Sequence, residues 1–430
     1  ETLVFTFIGM TPSEVSVGNK SIINVTLSND DQQLEQLVVI GYGTEKRANT
    51  TGSLTSIKGD KISGLITPNF ANQLGGRAAG VQVSVPNGLL GQAPRIRIRG
   101  TNSISSGAGP LIVIDNVPVA TNPYGGVGPS DPLSDINPND IESFEVLKDG
   151  AATAIFGSRA ANGVILITTK KGKGNKGKMA VNYDVNFGQN QAVSKLDLLN
   201  AADFITIANE KYTNAGQPIQ AVADGKGTDT DWQDVIFRKG MVQSHNLSLN
   251  GATDKTNYFF SLGMLNNEGS IVSNNMKRYN FRANLDHTVN KWLTLGTNLS
   301  YTNSQFTNLN TGANALSGNV IGAARLLPNV SPFDETNTLF EGYNVTPDGA
   351  ALGRGANLRA VDNNFTNIAF VLANNKFVTN NNRLIGNAYG EITIIEGLKV
   401  RSQIATDLLT QDDFQSLDSR HGDGRGANGT

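Results

Sequence analysis

The chain has 430 residues, of which 38% are hydrophobic and 17% charged, and its 35 Lys and Arg nearly balance 37 Asp and Glu, for a net charge of −2. This balance argues against a nucleic-acid binder, which needs a basic face to neutralise phosphates. The absence of cysteine excludes a disulfide framework and a zinc–thiolate site. No stretch approaches the roughly 18 apolar residues of a transmembrane helix. A transmembrane β-barrel stays open, because its strands alternate apolar and polar residues.

The N-terminal segment predicts the end of a β-domain. Residues 3–8 and 22–27 predict two short strands, separated by a turn around Gly18. Two strands alone are marginally stable in water, so we expect the beginning of this domain to be missing. At the other end, residues 421–430 are rich in glycine and predict an unfinished loop. We therefore expect a fragment that is cut at both ends.

A short apolar segment follows a polar linker. Residues 28–36 are polar, include three acidic side chains and predict a flexible linker. The next residues, Leu37–Ile40, are apolar, and a turn is predicted at Gly41-Tyr42-Gly43. Such a short segment cannot form a buried element alone. It is either an edge strand offered to a partner or the first strand of the next domain.

Residues 47–175 predict a compact α+β domain with many glycine turns. One helix is predicted to begin near Pro68, with Phe70, Leu74 and Ala78 at helical spacing, and another to open at residues 137–140. The predicted strands are residues 81–85, 95–99, 111–114, 144–147 and 163–169, with a turn at Asp115-Asn116 after the third.

From residue 178 onward the chain alternates apolar and polar residues over long segments. About seven strands are predicted, each near the 9–11 residues that cross a bilayer when tilted. They are residues 181–187, 243–251, 257–265, 279–286, 293–301, 383–395 and 398–408. The alternation alone permits either a large soluble sheet or a membrane barrel.

Two further features favour the barrel. Aromatic side chains lie at predicted strand ends, as an interfacial girdle requires: Tyr258, Tyr279, Trp292 and Tyr301. Short turns at 252–256, 289–291 and 396–397 alternate with long links at 191–241, 266–276 and 305–382, as in outer-membrane barrels. Arg282 must then face the lumen, because an arginine facing lipid at the bilayer midplane costs about 2–4 kcal/mol.

Seven strands cannot close such a barrel, since single-chain bacterial barrels have an even number. An open sheet would leave unpaired edge groups in lipid. The remaining strands are therefore either missing from this chain or supplied by another chain, and we expect the former.

Five segments of the chain together resemble one family. They are residues 36–44 (QLVVIGYGT), 76–83 (GRAAGVQV), 95–100 (RIRIRG), 110–115 (PLIVID) and 141–170 (IESFEVLKDGAATAIFGSRAANGVILITTK). In order and spacing they resemble the SusC/RagA-like TonB-dependent outer-membrane transporters of Bacteroidota, and the last segment is the most specific. The resemblance extends from residue 1 to 430 and weakens in the loops beyond residue 305.

This resemblance implies a mainly β fold: a transmembrane antiparallel β-barrel of roughly 22 strands, of which about seven are present, with an N-terminal α+β plug domain in the lumen. Residues 1–28 resemble the end of a carboxypeptidase-regulatory-like extension, 29–46 a linker with a TonB box, 47–175 the plug, and 178–430 the first part of the barrel. The TonB box is implied at Leu37, Val38, Val39, Ile40, Gly41, Tyr42 and Gly43.

The resemblance also implies a function. It indicates energised import of an oligosaccharide or oligopeptide across the outer membrane of a Gram-negative bacterium, driven by TonB of the TonB–ExbB–ExbD complex. A SusD-like surface lipoprotein is the implied lid, and outer-membrane lipid surrounds the barrel. The alternative is a non-transporting glycan-binding or adhesin scaffold on the same barrel. The sequence has no catalytic constellation that we can defend, so we predict neither an enzyme nor a cofactor.

Three arginines alternate along the strand predicted at residues 95–99, so Arg95, Arg97 and Arg99 are expected on one face. They are predicted to contact either substrate or acids of the barrel wall, such as Asp184 and Asp286. Holding the plug in place is the commoner role for such charges.

Other motifs are weak. Residues 172–178 satisfy two phosphate-binding glycine patterns, but Met179 stands where Ser or Thr would hold magnesium, and a strand follows instead of a helix. We interpret them as the linker from plug to barrel. His245, His287 and His421 lie on separate predicted elements, which favours surface or interface positions over a metal site. A solvated loop is favoured over a calcium site for four clustered aspartates: Asp224, Asp229, Asp231 and Asp234.

Overall fold

The computed structural model describes residues 2–5, 13–16, 18, 25–26, 37–40, 43–46, 54–63, 67, 69–85, 88–101, 107–121, 132–173, 177–309, 320–358, 365–426 and 428–429. Over these residues the fold is mainly β, as predicted. Its 18 strands form five sheets: two N-terminal hairpins, a five-stranded sheet, a further hairpin and a seven-stranded antiparallel sheet.

Two short hairpins precede the larger sheets. β1 (Thr2–Phe5) pairs with β2 (Ser13–Ser16), and β3 (Leu37–Ile40) pairs with β4 (Gly43–Lys46), both antiparallel. The strand predicted at 22–27 is wrong where it can be compared, because Val25 and Thr26 have no strand structure. Its other residues, and residues 6–8, lie outside the described part of the chain. Residues 13–16 pair with β1 instead, since a shorter loop costs less entropy to close.

The α+β region forms a five-stranded sheet and a hairpin. Its strands are β5 (Leu54–Lys58), β6 (Val81–Ser84), β7 (Arg95–Ile98), β8 (Leu111–Ile114), β9 (Val117–Val119), β10 (Ile141–Leu147) and β11 (Val164–Thr169). The sheet order is β5-β10-β11-β8-β9, with only β8 and β11 parallel, and β6 pairs with β7. The one-turn helices α1 (Asp60–Ser63) and α2 (Gly150–Thr153) separate strands along the chain. The five predicted strands are confirmed, and β5 and β9 are additional.

The core of this region contains the apolar residues that the sequence singles out. The rings of Phe70 and Phe144 lie 5.1 Å apart, and both side chains are fully buried. Leu74 and Ala78 are buried in the same cluster, together with residues of β8 and β10. Burial of each large side chain contributes about 1.5–3 kcal/mol, so this cluster is the main source of stability in the region.

Two predicted helices are shorter in the structure. The helix predicted near Pro68, which itself lies outside the described residues, is a 3₁₀ turn at Phe70–Gln73. Gly76 follows with a φ of 74°, a left-handed conformation that ends a helical path. The helix predicted at residues 137–140 is a 3₁₀ turn of three residues, Pro138–Asp140. It ends there because Ile141 already begins β10, whose backbone pairs with β5 and β11.

From residue 179 the chain forms one seven-stranded sheet, called the wall sheet below. Its strands are β12 (Met179–Asn190), β13 (Gly240–Ala252), β14 (Thr256–Glu268), β15 (Asn275–Thr288), β16 (Leu293–Asn308), β17 (Lys376–Ile395) and β18 (Leu398–Ser416). Neighbours pair antiparallel in chain order. The seven predicted strands are confirmed, and each is longer than predicted, up to 20 residues in β17.

The two faces of the wall sheet differ as the alternation predicts. On β15 the side chains of Tyr279 and Phe281 are exposed, whereas the polar side chains between them are buried. Arg282 is 4% exposed and pairs with Asp140 of the α+β region, so its predicted inward position is confirmed. Because the strands extend further than predicted, Tyr301 lies within β16 rather than at its end.

Short and long connections alternate, as predicted. Residues 253–255, 289–292 and 396–397 connect strands at one end of the wall sheet, and residues 191–239, 269–274 and 309–375 connect them at the other, the long-loop end. The remaining helices are α3 (Ala201–Asn214), α4 (Trp232–Ile236), α5 (Val320–Ala324), α6 (Ile368–Asn374) and α7 (Asp423–Gly426). Within the described ranges, no helix has the length and apolar character to span a membrane.

A glycine pair tests the packing of β5 on β10. A Cβ added at Gly59 would lie 2.0 Å from the carbonyl oxygen of Ile141, whereas one at Gly150 would meet nothing within 4 Å. We expect Gly59→Ala to lower the free energy of unfolding of this region by about 1–3 kcal/mol. Gly150→Ala should change it by less than about 1 kcal/mol. The urea midpoint of the region measures both, and equal midpoints would contradict the packing.

Candidate functional site

Residues 115–120, 132–140 and 169–171 of the predicted plug contact the inner face of the wall sheet, and Leu90 packs against it. The contacts of residues 115–120 and 132–140 include hydrogen bonds and ion pairs with β13 to β18. The buried residues on the wall side of this plug–wall interface include the apolar Ile385 and a larger polar set: Asn246, Ser261, Asn280, Arg282, Ser304, Arg383 and Asn387. Directional bonds, several of them between charged groups, therefore hold the two parts together.

Arg282 is at the centre of this interface. Its Nη1 atom lies 3.3 Å from Asp115 Oδ2 and 3.2 Å from Thr169 Oγ1, and its Nε atom lies 3.6 Å from Asp140 Oδ2. Asp115 and Asn116, with φ values of 46° and 69°, form the tight turn between β8 and β9. Thr169 fixes the Asp115 carboxylate by donating its N–H at 3.0 Å and its hydroxyl at 2.7 Å. One buried guanidinium thus faces carboxylates from two segments of the predicted plug.

The Asp140 segment has further contacts with the wall sheet. Ser261 Oγ donates to Asp140 Oδ1 at 2.6 Å, and Asn280 Nδ2 donates to Asp140 Oδ2 at 3.4 Å. Asn137 Nδ2 donates to Asn246 Oδ1 at 2.9 Å. Pro138 starts the 3₁₀ turn that places Asn137 and Asp140 side by side against the wall.

A second buried arginine joins β17, β18 and the predicted plug. Arg383 is 1% exposed, and its Nε and Nη2 atoms both donate to Asp407 at 2.9 Å. Ala120 bridges the same pair, since its carbonyl accepts from Arg383 and its N–H donates to Asp407, each at 3.0 Å. Asp135 lies 4.0 Å from Arg383 and accepts from Ser304 Oγ at 2.5 Å. Burial raises the pKa of Asp135 to about 6, against the opposing effects of the Ser304 hydrogen bond and the Arg383 charge.

Removing a single partner from this interface is costly, whereas separating the whole predicted plug from the wall costs little free energy per hydrogen bond. Removing one partner of a buried ion pair leaves an uncompensated charge and costs about 3–5 kcal/mol. When the whole interface opens, water solvates every group on both sides, so little free energy is lost per bond. The chemistry therefore suits a domain that is held in place and released as a unit.

The described contacts of Arg97 and Arg99 lie within the α+β region. Arg95 and Arg97 alternate with buried isoleucines, as predicted. Arg99 follows the end of β7 in a left-handed conformation, with φ of 59°, so it does not continue their face. Its Nη1 atom pairs with Asp149 of the same region at 2.5 Å. A contact of these arginines with substrate stays a prediction.

The wall acids proposed as their partners have other surroundings. Asp286 pairs with Lys171 Nζ at 3.0 Å and accepts from the hydroxyl of Tyr389. Asp184 is exposed on β12. Charges of the predicted plug and wall do meet, but mostly as plug aspartates on wall arginines rather than the reverse.

The predicted TonB box is described in part. Leu37–Ile40 forms β3, whose register on β4 runs from Leu37 opposite Lys46 to Ile40 opposite Gly43. Gly41 and Tyr42 lie outside the described residues, and Gly43 begins β4. Among described strands β3 pairs with β4 alone, so its second edge has no strand beside it. The interpretation of this strand as a TonB box stays a prediction.

The glycine pattern after β11 has a steric explanation. A Cβ at Gly172 would lie 2.2 Å from the backbone nitrogen of Tyr258 and 2.5 Å from the carbonyl oxygen of Gly251. The chain therefore passes from the predicted plug to the wall sheet in close backbone contact with β13 and β14. Residues 174–176 of the pattern lie outside the described part.

The clustered aspartates have local partners. Asp229 and Asp231 accept backbone N–H groups at the starts of α3 and α4, at 2.8 Å and 2.9 Å. Asp224 accepts from the N–H of Lys226 at 2.8 Å, and Asp234 pairs with Lys195. Over the described ranges no three His, Asp or Glu side chains are grouped so that they could hold a metal ion.

Sequence reasoning missed most residues of the plug–wall interface, among them four charged ones: Asp135, Asp140, Arg383 and Asp407. The alternation of residues could have indicated two of them, because Arg383 and Asp407 lie on the inward-facing side of β17 and β18. A charged side chain on that side must find a partner in the lumen. The pairing with Asp135 could not be read, because it joins segments far apart in the chain.

Comparison with known proteins agrees with this architecture. The TonB-dependent receptor plug domain family matches residues 46–164. The chain is 36% identical over 354 residues to the TonB-dependent receptor SusC of Bacteroides thetaiotaomicron, covering 80% of this chain and 34% of that protein. It is 35% identical over 342 residues to the TonB-dependent receptor P3 of Formosa agariphila, covering 78% and 32%. The chain thus spans about a third of the length of these curated relatives.

Solved structures share the fold. The RagAB peptide importer in its open-open state matches with a TM-score of 0.70 at 23% identity, covering 89% of this chain and 43% of that one. Its closed-closed state matches with a TM-score of 0.68 at the same identity. The sequence match, the plug domain and the wall sheet lead to one conclusion: the chain belongs to the SusC/RagA-like TonB-dependent receptors, the family that its sequence resembles.

Proposed function

We propose that the chain serves TonB-dependent import of an oligosaccharide or oligopeptide across the outer membrane, together with a SusD-like surface lipoprotein. In this proposal residues 1–28 end an N-terminal extension, 29–46 carry the TonB box, 47–175 are the plug and 178–430 begin the barrel. The observation that carries the proposal is a plug with an apolar core and a mainly polar contact with the wall, preceded in the chain by a strand, β3, with one edge that no described strand pairs.

The order of the strands supports a route for force from the N-terminal segment to the plug. β4 ends at Lys46, and the next described strand is β5, at Leu54. Among the described strands, β5 is at the edge of the plug sheet and pairs with β10 alone, from Leu54 opposite Leu147 to Lys58 opposite Ser143. A periplasmic partner that adds a strand to β3 would therefore pull on β5 before any other strand of that sheet. Peeling it from β10 breaks one pair at a time.

The polarity of the plug–wall interface supports release of the plug without denaturing it. Most residues of the plug core, such as Phe70 and Phe144, belong to the plug itself, and the wall contributes Ile385 of β17 to the same cluster. Moving the plug exposes mainly Asn, Ser, Asp and Arg side chains, which water can solvate. Movement would also expose the apolar contacts at Leu90 and Ile385, which adds a hydrophobic penalty to the cost of separating the polar groups.

The outer face of the wall sheet supports a location in outer-membrane lipid of a Gram-negative bacterium. Large apolar side chains are exposed on it, including Val181, Tyr183, Phe187, Leu247, Leu262, Phe281 and Leu299. Further apolar side chains are exposed in the connections at the long-loop end: Ile321, Phe333, Leu339 and Leu358. Exposed apolar patches of this kind mark binding surfaces, and in this proposal a SusD-like lipoprotein and the substrate bind there.

Deleting residues 37–43 from the full-length receptor tests the proposed TonB box. Uptake of a labelled oligosaccharide or oligopeptide pool by whole cells should fall to background, because no force reaches the plug. Binding to the cell surface in the cold and the amount of receptor in the outer membrane should not change. Uptake that persists after the deletion would contradict energised import, and surface binding without any uptake in the wild type would favour a non-transporting scaffold.

Two double variants of equal chain length test whether uptake requires β3 to pair with a partner strand. Val38→Pro with Val39→Pro removes two consecutive N–H groups, one on each edge of β3. Val38→Ala with Val39→Ala keeps both N–H groups. We expect at least a tenfold loss of uptake in the first variant and near wild-type uptake in the second. Equal uptake in the two variants would argue that β3 does not pair with a partner strand.

Arg282→Met tests how the plug is held. The substitution keeps a long side chain but leaves Asp115 and Asp140 without their buried cation, at a cost of about 3–5 kcal/mol. A loosely held plug should admit a bulky antibiotic that the intact outer membrane excludes, which growth inhibition measures. Lys399→Met is the control, because its pair with Glu391 at 2.8 Å is exposed and contributes under about 1 kcal/mol. Equal sensitivity of both variants would contradict the role of Arg282.

A further inference from the structure

His421 is fully buried at the long-loop end, shortly after β18 ends at Ser416. The backbone N–H of Asn367 donates to its Nε2 atom at 2.8 Å. Its Nδ1 atom lies 2.8 Å from the carbonyl oxygen of Gly349. Each ring nitrogen therefore has one partner, and the two partners belong to different parts of the connection between β16 and β17.

These partners fix the protonation state of the imidazole. A carbonyl oxygen only accepts, so Nδ1 must carry the proton that bonds to Gly349. A backbone N–H only donates, so Nε2 must present its lone pair to Asn367. A proton on Nε2 would set two donors against each other in a site without water access. Only the neutral ring satisfies both contacts.

The contact with Asn367 organises more than one bond. Asn367 precedes α6, and its Oδ1 atom accepts the N–H groups of Ala369 and Phe370. Its Nδ2 atom donates to the carbonyl groups of Pro332 and Asn344, at 2.8 Å and 3.0 Å. His421 thus holds the residue that joins the start of α6 to the segment 332–344.

The surrounding packing brings the same segments together. Phe340 and Phe370 meet the His421 ring edge to face, with centroids 6.5 Å and 5.5 Å away. Gly349 approaches so closely that a Cβ there would lie 2.0 Å from the carbonyl oxygen of Arg420. The histidine ring is therefore enclosed by aromatic side chains while both of its nitrogens are hydrogen-bonded.

We propose that His421 is an acid-sensitive clasp of the long-loop end. In its neutral form it joins the segment after β18 to residues 332–349 and to the start of α6. Protonation breaks the Asn367 contact and loosens all three segments together, without any change in the wall sheet.

Charged groups surround His421 on two of the three segments that it joins. Its own segment contributes Asp418, Arg420, Asp423 and Arg425, the segment 332–349 contributes Asp334, Glu335, Glu341 and Asp348, and α6 contributes none. Arg420 pairs with Asp418 at 2.7 Å and with Glu341 at 2.8 Å, and Arg425 lies 3.9 Å from Asp348. Hydrogen bonds lower the pKa of Asp418, mainly from Arg420, and that of Asp348, mainly from Thr346, so both stay charged.

Burial lowers the pKa of His421, against the opposing effect of its hydrogen bond to Gly349, and the Arg425 charge lowers it further. The unfolded segment, with an ordinary histidine pKa of about 6.5, then binds the proton more readily than the folded one. The contribution of the clasp to stability is therefore complete above about pH 6.5 and is lost as the pH falls below it.

Hydrogen exchange of the full-length receptor in detergent at pH 7.5 and pH 5.5 tests the clasp. Rates are corrected for the intrinsic pH dependence of exchange, and peptides from β18 are the internal reference. We expect protection of residues 365–374 and 417–426 to fall at pH 5.5 relative to β18, by at most about tenfold for a group with an unfolded pKa of about 6.5. An unchanged ratio between the two pH values would overturn the proposal.

Substitutions at two histidines test whether His421 causes the loss of protection at pH 5.5. His421→Gln offers an amide oxygen to Asn367 and an amide N–H to Gly349, and it does not titrate, so its protection should be equal at both pH values. His287→Gln, on the wall sheet, should keep the wild-type response. Acid loss of protection in His421→Gln equal to that of the wild type would overturn the proposal. If His421→Gln does not fold, the wild-type ratio and His287→Gln still decide it.

Discussion

The structure depends on keeping buried charges fully paired where the plug meets the wall. Arg282 lies between Asp115 and Asp140, and Arg383 lies between Asp407 and Asp135. An unpaired charge at this depth would cost several kcal/mol. This constraint fixes the phase of the wall strands, because the arginines must point inward and the residues between them then point outward. The alternation of polar and apolar residues follows from it.

The same constraint divides the molecule into parts with different mechanical properties. Inside the plug, aromatic and branched side chains around Phe144 form a core that water cannot replace. Between plug and wall, hydrogen bonds and ion pairs that water can replace form most of the described contact, together with apolar contacts at Leu90 and Ile385. Under a pull from the N-terminal side, the edge strand β5 and the polar interface should therefore yield before the core does. A plug that leaves its place largely folded can return to it.

The sequence predicts the strands of this fold better than it predicts the contacts between distant segments. Strands of the wall sheet follow from alternation, which is local, and Arg282 could be placed inward by the cost of exposing it to lipid. The helix predicted near Pro68 is only a 3₁₀ turn at Phe70–Gln73, because the spacing of Phe70, Leu74 and Ala78 indicates burial, which a 3₁₀ turn and a loop also provide. The partners Asp135 and Asp140 could not be read, because ion pairs across distant segments leave no local signature. Arg99 was misplaced for a different reason: its backbone turns after β7.

The central claim is that the plug must leave its place on the wall during import. The chain has no cysteine, so Asn137→Cys and Asn246→Cys introduce thiols at two positions whose native side chains are hydrogen-bonded at 2.9 Å across the interface. In the full-length receptor, a short cleavable reagent that joins them should stop uptake while substrate still binds, and cleaving it should restore uptake. Undiminished uptake with the crosslink complete would contradict the claim.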